Sequence, residues 1–243
     1  MQIKSFRIDR YISKQRNINR RDIKLMLAQG RVVINGEVIR EVSTIVEEFD
    51  RVELDGEVLQ DKKAVYIMLH KPLGVVSATK DDVHKTVIDL LPRELVASDD
   101  VLNDLHIVGR LDLNTSGLLL LTNDGRWSRK LMSPSTKVKK VYQVTLKNPL
   151  NEEYVKAFAK GMYFAFEDIT TQPAQLTILA DKVAQVTLSE GKYHQIKRMF
   201  GRFRNPVLAL HRSSVGALSL DKELNPGQGR LLTELEIATI FTA

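Results

Sequence analysis

The 243-residue sequence predicts an α+β protein: a small N-terminal α+β domain followed by a larger domain on a mixed, mainly antiparallel sheet. Three observations predict it. Apolar residues at helical spacing occupy roughly the first 30 positions and give way to two hairpin signals. A polar stretch, LQDKKA (59–64), then separates this region from longer strands. Beyond it strands and helices follow no regular alternation, which argues against a doubly wound parallel sheet. The expected boundaries are 1–59 for the first domain, 60–64 for a tether that lets the two domains move, and 65–243 for the second domain.

Ile8, Tyr11 and Ile12 form the stripe of a first helix. Ile23, Met26 and Leu27 form that of a second, with Asn19 as its N-cap and Gly30 as its stop. Arg20, Arg21 and Lys24 project from the opposite side of that second helix. VVINGEVI and RVELDGEVL each carry a two-residue hairpin signal, Asn35-Gly36 and Asp55-Gly56. In the second region VYIMLHKP reads as a buried strand stopped by Pro72. HIVGRLD and GLLLLT read as strands bracketing a turn, and WSRKLMS as a short helix ended by Pro134. KKVYQVTL alternates as a strand, and EEYVKAFAKG is a helix closed by Gly161. AQLTILA and AQVTLSEG are strands, YHQIKRMFGRF a helix, VLALHRSSVGALSL a strand and TELEIATIF the last helix.

Composition bounds the function. A 43% hydrophobic content supports one large core and a satellite. There is no cysteine, which excludes disulfides and thiolate metal sites and points to a reducing compartment. The five histidines show no ligand spacing, so no metal is expected. No apolar run is long enough to span a membrane, and MQIKSFRIDR lacks the apolar segment of a secretion signal. The expected setting is the cytoplasm. GxxxxGK[ST], GxGxxG and GxSxG are all missing, so no nucleotide cofactor is expected. The net charge is +6, but its distribution says more: residues 1–31 carry +7 and residues 32–61 carry −7. A basic helical face backed by an acidic sheet edge attracts a polyanion from one side; segregated solvated charge is the plainer alternative.

In GRLDLNTSGLLLLTNDG (109–125), Asp112 follows Arg110 by two positions. On an extended segment the two share a face. Asp112 is either a turn residue capping its own backbone or an ionised carboxylate acting on a sugar anomeric carbon. The four leucines at 118–121 supply rigid support behind it.

Residues 5–58 resemble the S-four-type RNA-binding domain, through RIDRYIS, NRRDIKLMLAQGRVVINGEVI and RVELDGE taken in order. LHKPLGVVSA (69–78), GRLDLNTSGLLLLTNDG, KKVYQVTL (139–146) and EGKYHQIKRMF (190–200) resemble successive motifs of the RNA pseudouridine synthases. They most resemble the ribosomal RNA-modifying family whose name-giving member acts on the small subunit. The resemblance implies an isomerase that turns uridine into pseudouridine without cofactor or metal, acting as a monomer on ribosomal RNA, free or in an assembly particle. It implies Asp112 as the catalytic aspartate and Tyr142 as a tyrosine that stacks on the target base. It places Lys197 where relatives carry an Arg or Lys paired with the aspartate. A lysine there makes a point contact rather than a bidentate clamp. Leu118 and its neighbours are expected on the pocket floor. Arg20, Arg21, Lys24, Arg110, Lys139, Lys140, His194 and Arg198 are the expected RNA contacts, and Arg212 belongs to the same basic neighbourhood.

Three alternatives stay open. Large-subunit synthases share the motifs. A non-catalytic assembly factor would carry the same basic patches without needing Asp112, Tyr142 and Lys197 together. An RNA glycosylase would release free uracil.

Overall fold

A computed structural model of the chain describes residues 5–96 and 98–242, and divides it between Ala64 and Val65 into two units. The first unit begins with β1 (Phe6–Arg7), which leads directly into α1 (Ile8–Arg16), followed by α2 (Arg20–Ala28). Then come β2 (Val32–Ile34), β3 (Glu37–Ile39), β4 (Ile45–Val46), β5 (Val52–Leu54) and β6 (Glu57–Gln60). The Asn19 side chain accepts from the Arg21 amide and caps α2. Both residues of Asn35-Gly36 and of Asp55-Gly56 have positive φ, the left-handed pair that a two-residue hairpin demands. β3-β2-β5-β6 form an antiparallel sheet, and β1 pairs with β4. Ile8, Ile12, Ile23, Leu27, Val32 and Val52 are fully buried between helices and sheet.

The fold changes two sequence expectations. Of the tether expected over 60–64, Gln60 belongs to β6, and its amide donates to the Glu47 and Asp50 carbonyls at 2.8 Å each. Lys62 pairs with Glu48 at 2.7 Å, so the segment is fastened to the first unit this far. The basic and acidic halves are also less segregated than their order in the chain. Arg31 pairs with Asp55 at 2.6 Å and Arg16 with Glu57, because the hairpins fold back against the helices. Arg20 is bound to the fully buried Asp9 through Nη2 at 2.6 Å and Nε at 3.1 Å, with Arg7 at 3.0 Å. Burial pushes Asp9 up, but the Arg20 and then the Arg7 guanidinium outweigh it and hold the carboxyl below its ordinary range.

In the second unit β7 (Tyr66–Lys71) is followed by α3 (Asp99–Asp104), β8 (His106–Val108), β9 (Ser116–Thr122) and α4 (Gly125–Met132). Next come β10 (Lys140–Leu146), α5 (Glu152–Lys160), the small pair β11 (Tyr163–Phe164) and β12 (Ile169–Thr170), β13 (Gln175–Ala180) and β14 (Val183–Leu188). The chain closes with α6 (Gln195–Gly201), β15 (Val207–Val215), β16 (Leu218–Ser219), β17 (Gly229–Leu231) and α7 (Glu234–Thr239). The main sheet runs β13-β14-β10-β15-β9-β7-β17, with β8 also on β9 and β16 on β15. Of these strand pairs only β15 and β9 are parallel, so the sheet is mixed and mainly antiparallel.

The leucine run of β9 is buried on both faces because helices cover both sides of this sheet. Leu119 and Leu121 pack with Phe158 of α5 and with Met199 and Phe200 of α6. Leu118 and Leu120 pack with Trp127 of α4 and with Ile240 just after α7.

The C-terminal helix is held by charge as well as packing. Thr233 and Glu236 form a reciprocal cap, and Arg230 bridges Glu236 at 2.7 Å and Asp221 at 2.6 Å. The Arg230 guanidinium, outweighing partial burial, pulls the Glu236 carboxyl down to about 2. A carboxyl lowered in the fold contributes stability above its unfolded pKa and loses it as pH falls through the folded one. Glu236→Gln is therefore expected to cost about 2 kcal/mol at neutral pH. The gap from wild type should close between about pH 4.5 and about pH 2, as followed by denaturant melts at each pH.

Candidate active site

Asp112 lies in the loop between β8 and β9, not on a strand. Gly109 turns the chain with φ +72°, and the Thr115 amide donates to the Asp112 carbonyl at 3.0 Å, closing a tight turn. The end of β7 and the segment after it hold this loop at three points. Ser77 Oγ donates to the Leu111 carbonyl at 2.7 Å and accepts from the Leu111 amide at 3.1 Å. The Gly74 amide donates to the Leu113 carbonyl at 3.0 Å. Lys71, fully buried at the end of β7, donates from Nζ to the carbonyls of Thr115 (2.8 Å), Pro72 (3.0 Å) and Asp112 (3.1 Å). Burial is the main influence on Lys71 and pushes it down to about 8; Asp112 draws it up, while Arg212 and Lys197 lower it further.

From β15, Arg212 clamps the same region. It is 1% exposed and donates to the Leu118 carbonyl at 2.8 Å and the Gly109 carbonyl at 3.1 Å. Gly117 lets β9 pass this close: a Cβ there would lie 2.2 Å from the Arg212 carbonyl oxygen. Arg212 is thus a buried backbone clamp, not one of the surface charges with which the sequence grouped it. Tertiary contacts supply its partners, and nothing in the local sequence announces them.

The Asp112 carboxylate projects into a cavity of about 100 Å³. Its Oδ2 receives Lys197 Nζ at 3.1 Å and lies 3.3 Å from His194 Nε2. Lys197 comes from α6 and contacts that single oxygen, as a point charge does. His194 caps α6 in a left-handed conformation and stacks on Tyr193 at 3.9 Å between ring centroids. Tyr142 reaches the cavity from β10, opposite Arg212 and Val186 on the neighbouring strands. It is nearly buried and also packs in the main core.

Of the residues expected at the site, Asp112, Tyr142, Lys197, Arg110 and His194 line the one cavity. Arg110 and Asp112 share it without strand parity, because β8 ends at Val108 and the loop itself turns both toward the opening. Leu118 does not form the floor. Strand alternation sends it to the opposite face of the sheet with Trp127, and Leu111, Leu188, Ile196 and Leu210 provide the apolar wall instead. Lys139 is exposed elsewhere on the same unit. Lys140 is turned inward, donating to the Val138 carbonyl at 3.3 Å, and is lowered by burial and then by Arg212. Arg198 is committed to Glu167 (Nη1–Oε1 2.6 Å) and lies 3.8 Å over the Phe164 ring. Arg21 and Lys24 of the first unit are exposed and enter no ion pair among the described residues, unlike Arg20.

Sequence reasoning passed over Lys71, Ser77 and Thr115. For Lys71 a signal exists: a lysine ending an otherwise apolar strand directly before Pro72. Among the described residues no three His, Cys, Asp or Glu cluster as metal ligands, and no helix is long and apolar enough to cross a membrane. The cavity thus brings together a carboxylate, a lysine, a histidine, a tyrosine and an apolar wall. Simple surface binding does not require this convergence.

Comparison with known proteins bears on the same segments. The family model described as RNA pseudouridylate synthase matches residues 65–201, and that of the S4 domain matches residues 6–52. The ribosomal small subunit pseudouridine synthase A of Pseudomonas aeruginosa is 48% identical, over 96% of this chain and 100% of that protein. The protein of that name from Escherichia coli (strain K12) is 39% identical, over 96% and 99%. A crystal structure of pseudouridylate synthase superposes with a TM-score of 0.68 at 37% identity, covering 97% of this chain and 99% of that one. The chain therefore belongs to the RNA pseudouridylate synthase family, with an S4 domain ahead of a catalytic domain that isomerises uridine.

Proposed function

We propose that this chain converts a uridine of small-subunit ribosomal RNA to pseudouridine, with Asp112 as the catalytic group. The observation that carries the reading is the Asp112 carboxylate in the cavity, facing Lys197 at 3.1 Å beside Tyr142. The near-full-length similarity to small-subunit synthases supports the choice of RNA. The absence of cysteine fits a cytoplasmic setting.

The target uridine leaves its stack to enter the cavity, as chemistry on a base requires. Tyr142 and the wall of Leu111, Leu188, Ile196 and Leu210 hold the uracil ring. Lys197 and His194 hold the Asp112 carboxylate in place until substrate arrives. Asp112 promotes cleavage of the N1–C1′ bond. The uracil turns in place, C5 bonds to C1′, the C5 proton leaves and N1 gains a proton, so the net change is isomerisation. The apolar wall limits water, which would otherwise turn the same cleavage into hydrolysis. Mapping pseudouridines in ribosomal RNA from cells with and without the protein tests the assignment. One small-subunit site should vanish without it; a missing large-subunit site or released uracil would replace this reading.

RNA contact by the first unit is assigned to Arg21 and Lys24 rather than to Arg20, whose guanidinium is occupied by Asp9. Arg21→Ala with Lys24→Ala should weaken ribosomal RNA binding and reduce the slope of log affinity against log salt by about one to two. Arg20→Ala should instead lower the melting temperature, because it leaves a buried carboxylate with Arg7 as its single cationic partner. An unchanged salt slope in the double variant would remove this helix face from the interface.

A further inference from the structure

Among the described residues, two buried side-chain polar atoms have no hydrogen-bond partner, His106 Nδ1 and Thr115 Oγ1, and only Thr115 borders the cavity. Thr115 is 2% exposed, so its hydroxyl has neither a protein partner nor access to solvent. Leaving a buried hydroxyl unpaired is costly. The rest of the residue is held from both sides: its amide donates to the Asp112 carbonyl at 3.0 Å, and its carbonyl accepts from Lys71 at 2.8 Å. The hydroxyl is the one part of Thr115 left uncommitted.

Asp112 and Thr115 are the first and last residues of one tight turn, which brings their Cα atoms within about 7 Å of each other. The two side chains therefore leave one turn, and both residues border the same cavity. We propose that Thr115 is a positioning residue for Asp112. In the resting site the carboxylate rests on Lys197 and His194 through Oδ2. RNA brings phosphates that compete for Lys197 and His194, and Thr115 Oγ then donates to the released carboxylate and fixes it for reaction. The inference rests on the reading that Asp112 performs the chemistry.

The test compares Thr115→Val, Thr115→Ser and Asp112→Asn in the full chain, by tritium release from C5-labelled uridine in small-subunit ribosomal RNA with kcat and KM resolved, and by melting temperature. Valine keeps the shape of threonine and removes only the hydroxyl. Thr115→Val should melt at or above the wild-type temperature, with kcat lowered roughly 10- to 100-fold and KM within about twofold. Thr115→Ser should recover most of kcat. If Asp112→Asn is inactive while Thr115→Val keeps wild-type kcat, or loses only melting temperature or KM, the Thr115 role is overturned and the Asp112 reading survives. Full activity of Asp112→Asn would overturn both.

Discussion

Asp112→Asn should give a folded protein that still binds ribosomal RNA and releases no measurable tritium from C5-labelled uridine. The substitution preserves shape, removes the charge and replaces one accepting oxygen with a donor. Both loop anchors at this residue use its backbone carbonyl, which accepts from Lys71 at 3.1 Å and from the Thr115 amide at 3.0 Å, so the loop stays in place. The lost ion pair is about a third exposed on each side, and pairs of that kind contribute about 1 kcal/mol or less. Stability should therefore change little. Turnover should fall by at least roughly 10²- to 10⁴-fold, the range over which a positioned acid–base group acts, and further if the carboxylate is also the nucleophile. Normal tritium release would reject Asp112 as the catalytic group.

Lys71→Met should destabilise the fold more than Asp112→Asn, Glu236→Gln or Thr115→Val. Methionine fits the space of the lysine stem but leaves the carbonyls of Pro72, Asp112 and Thr115 without their common donor. Three charge-assisted bonds in a buried position are lost together, for a cost of about 3 kcal/mol or more. In a unit of this size that lowers the melting temperature by roughly 6–12 °C. Activity should fall too at temperatures where the protein remains folded, since the loop holding Asp112 loses a central anchor. Calorimetry with tritium release measured well below the transition separates the two effects. A variant melting within a degree or two of wild type would show that the three carbonyls find other donors.

Both results depend on how a short loop is held, and that is where sequence and structure part company. The strands and helices were largely legible because each carries its own periodic signal. The Asn19 cap, the Asn35-Gly36 and Asp55-Gly56 turns, the alternation of KKVYQVTL and the Gly161 stop all act over a few residues. Short pieces without such a signal, β1 with β4 and β11 with β12, went unread, because two-residue strands exist only through their partners. Polar composition likewise does not show that Gln60 and Lys62 find acceptors on the turn at 47–50.

In the site, residue types and motif order singled out Asp112, Tyr142 and Lys197, and their convergence on one cavity followed. Errors fell where a side chain's direction matters. Leu118 points away because β9 is covered on both faces, and a run of four leucines does not say which pair faces which layer. Arg212 read as a surface cation, since composition carries no record of a carbonyl on a neighbouring strand.

By itself, then, the sequence determined the longer elements, the two-part layout and the family, and singled out Asp112, because these rest on local propensity and ordered motifs. Only the tertiary structure decided that Lys71, Ser77 and Arg212 grip the loop around Asp112 and that Thr115 keeps an unpaired hydroxyl beside it. Those roles arise from hydrogen bonds between strands and loops far apart in the chain, where burial, not residue type, determines what each polar group can reach.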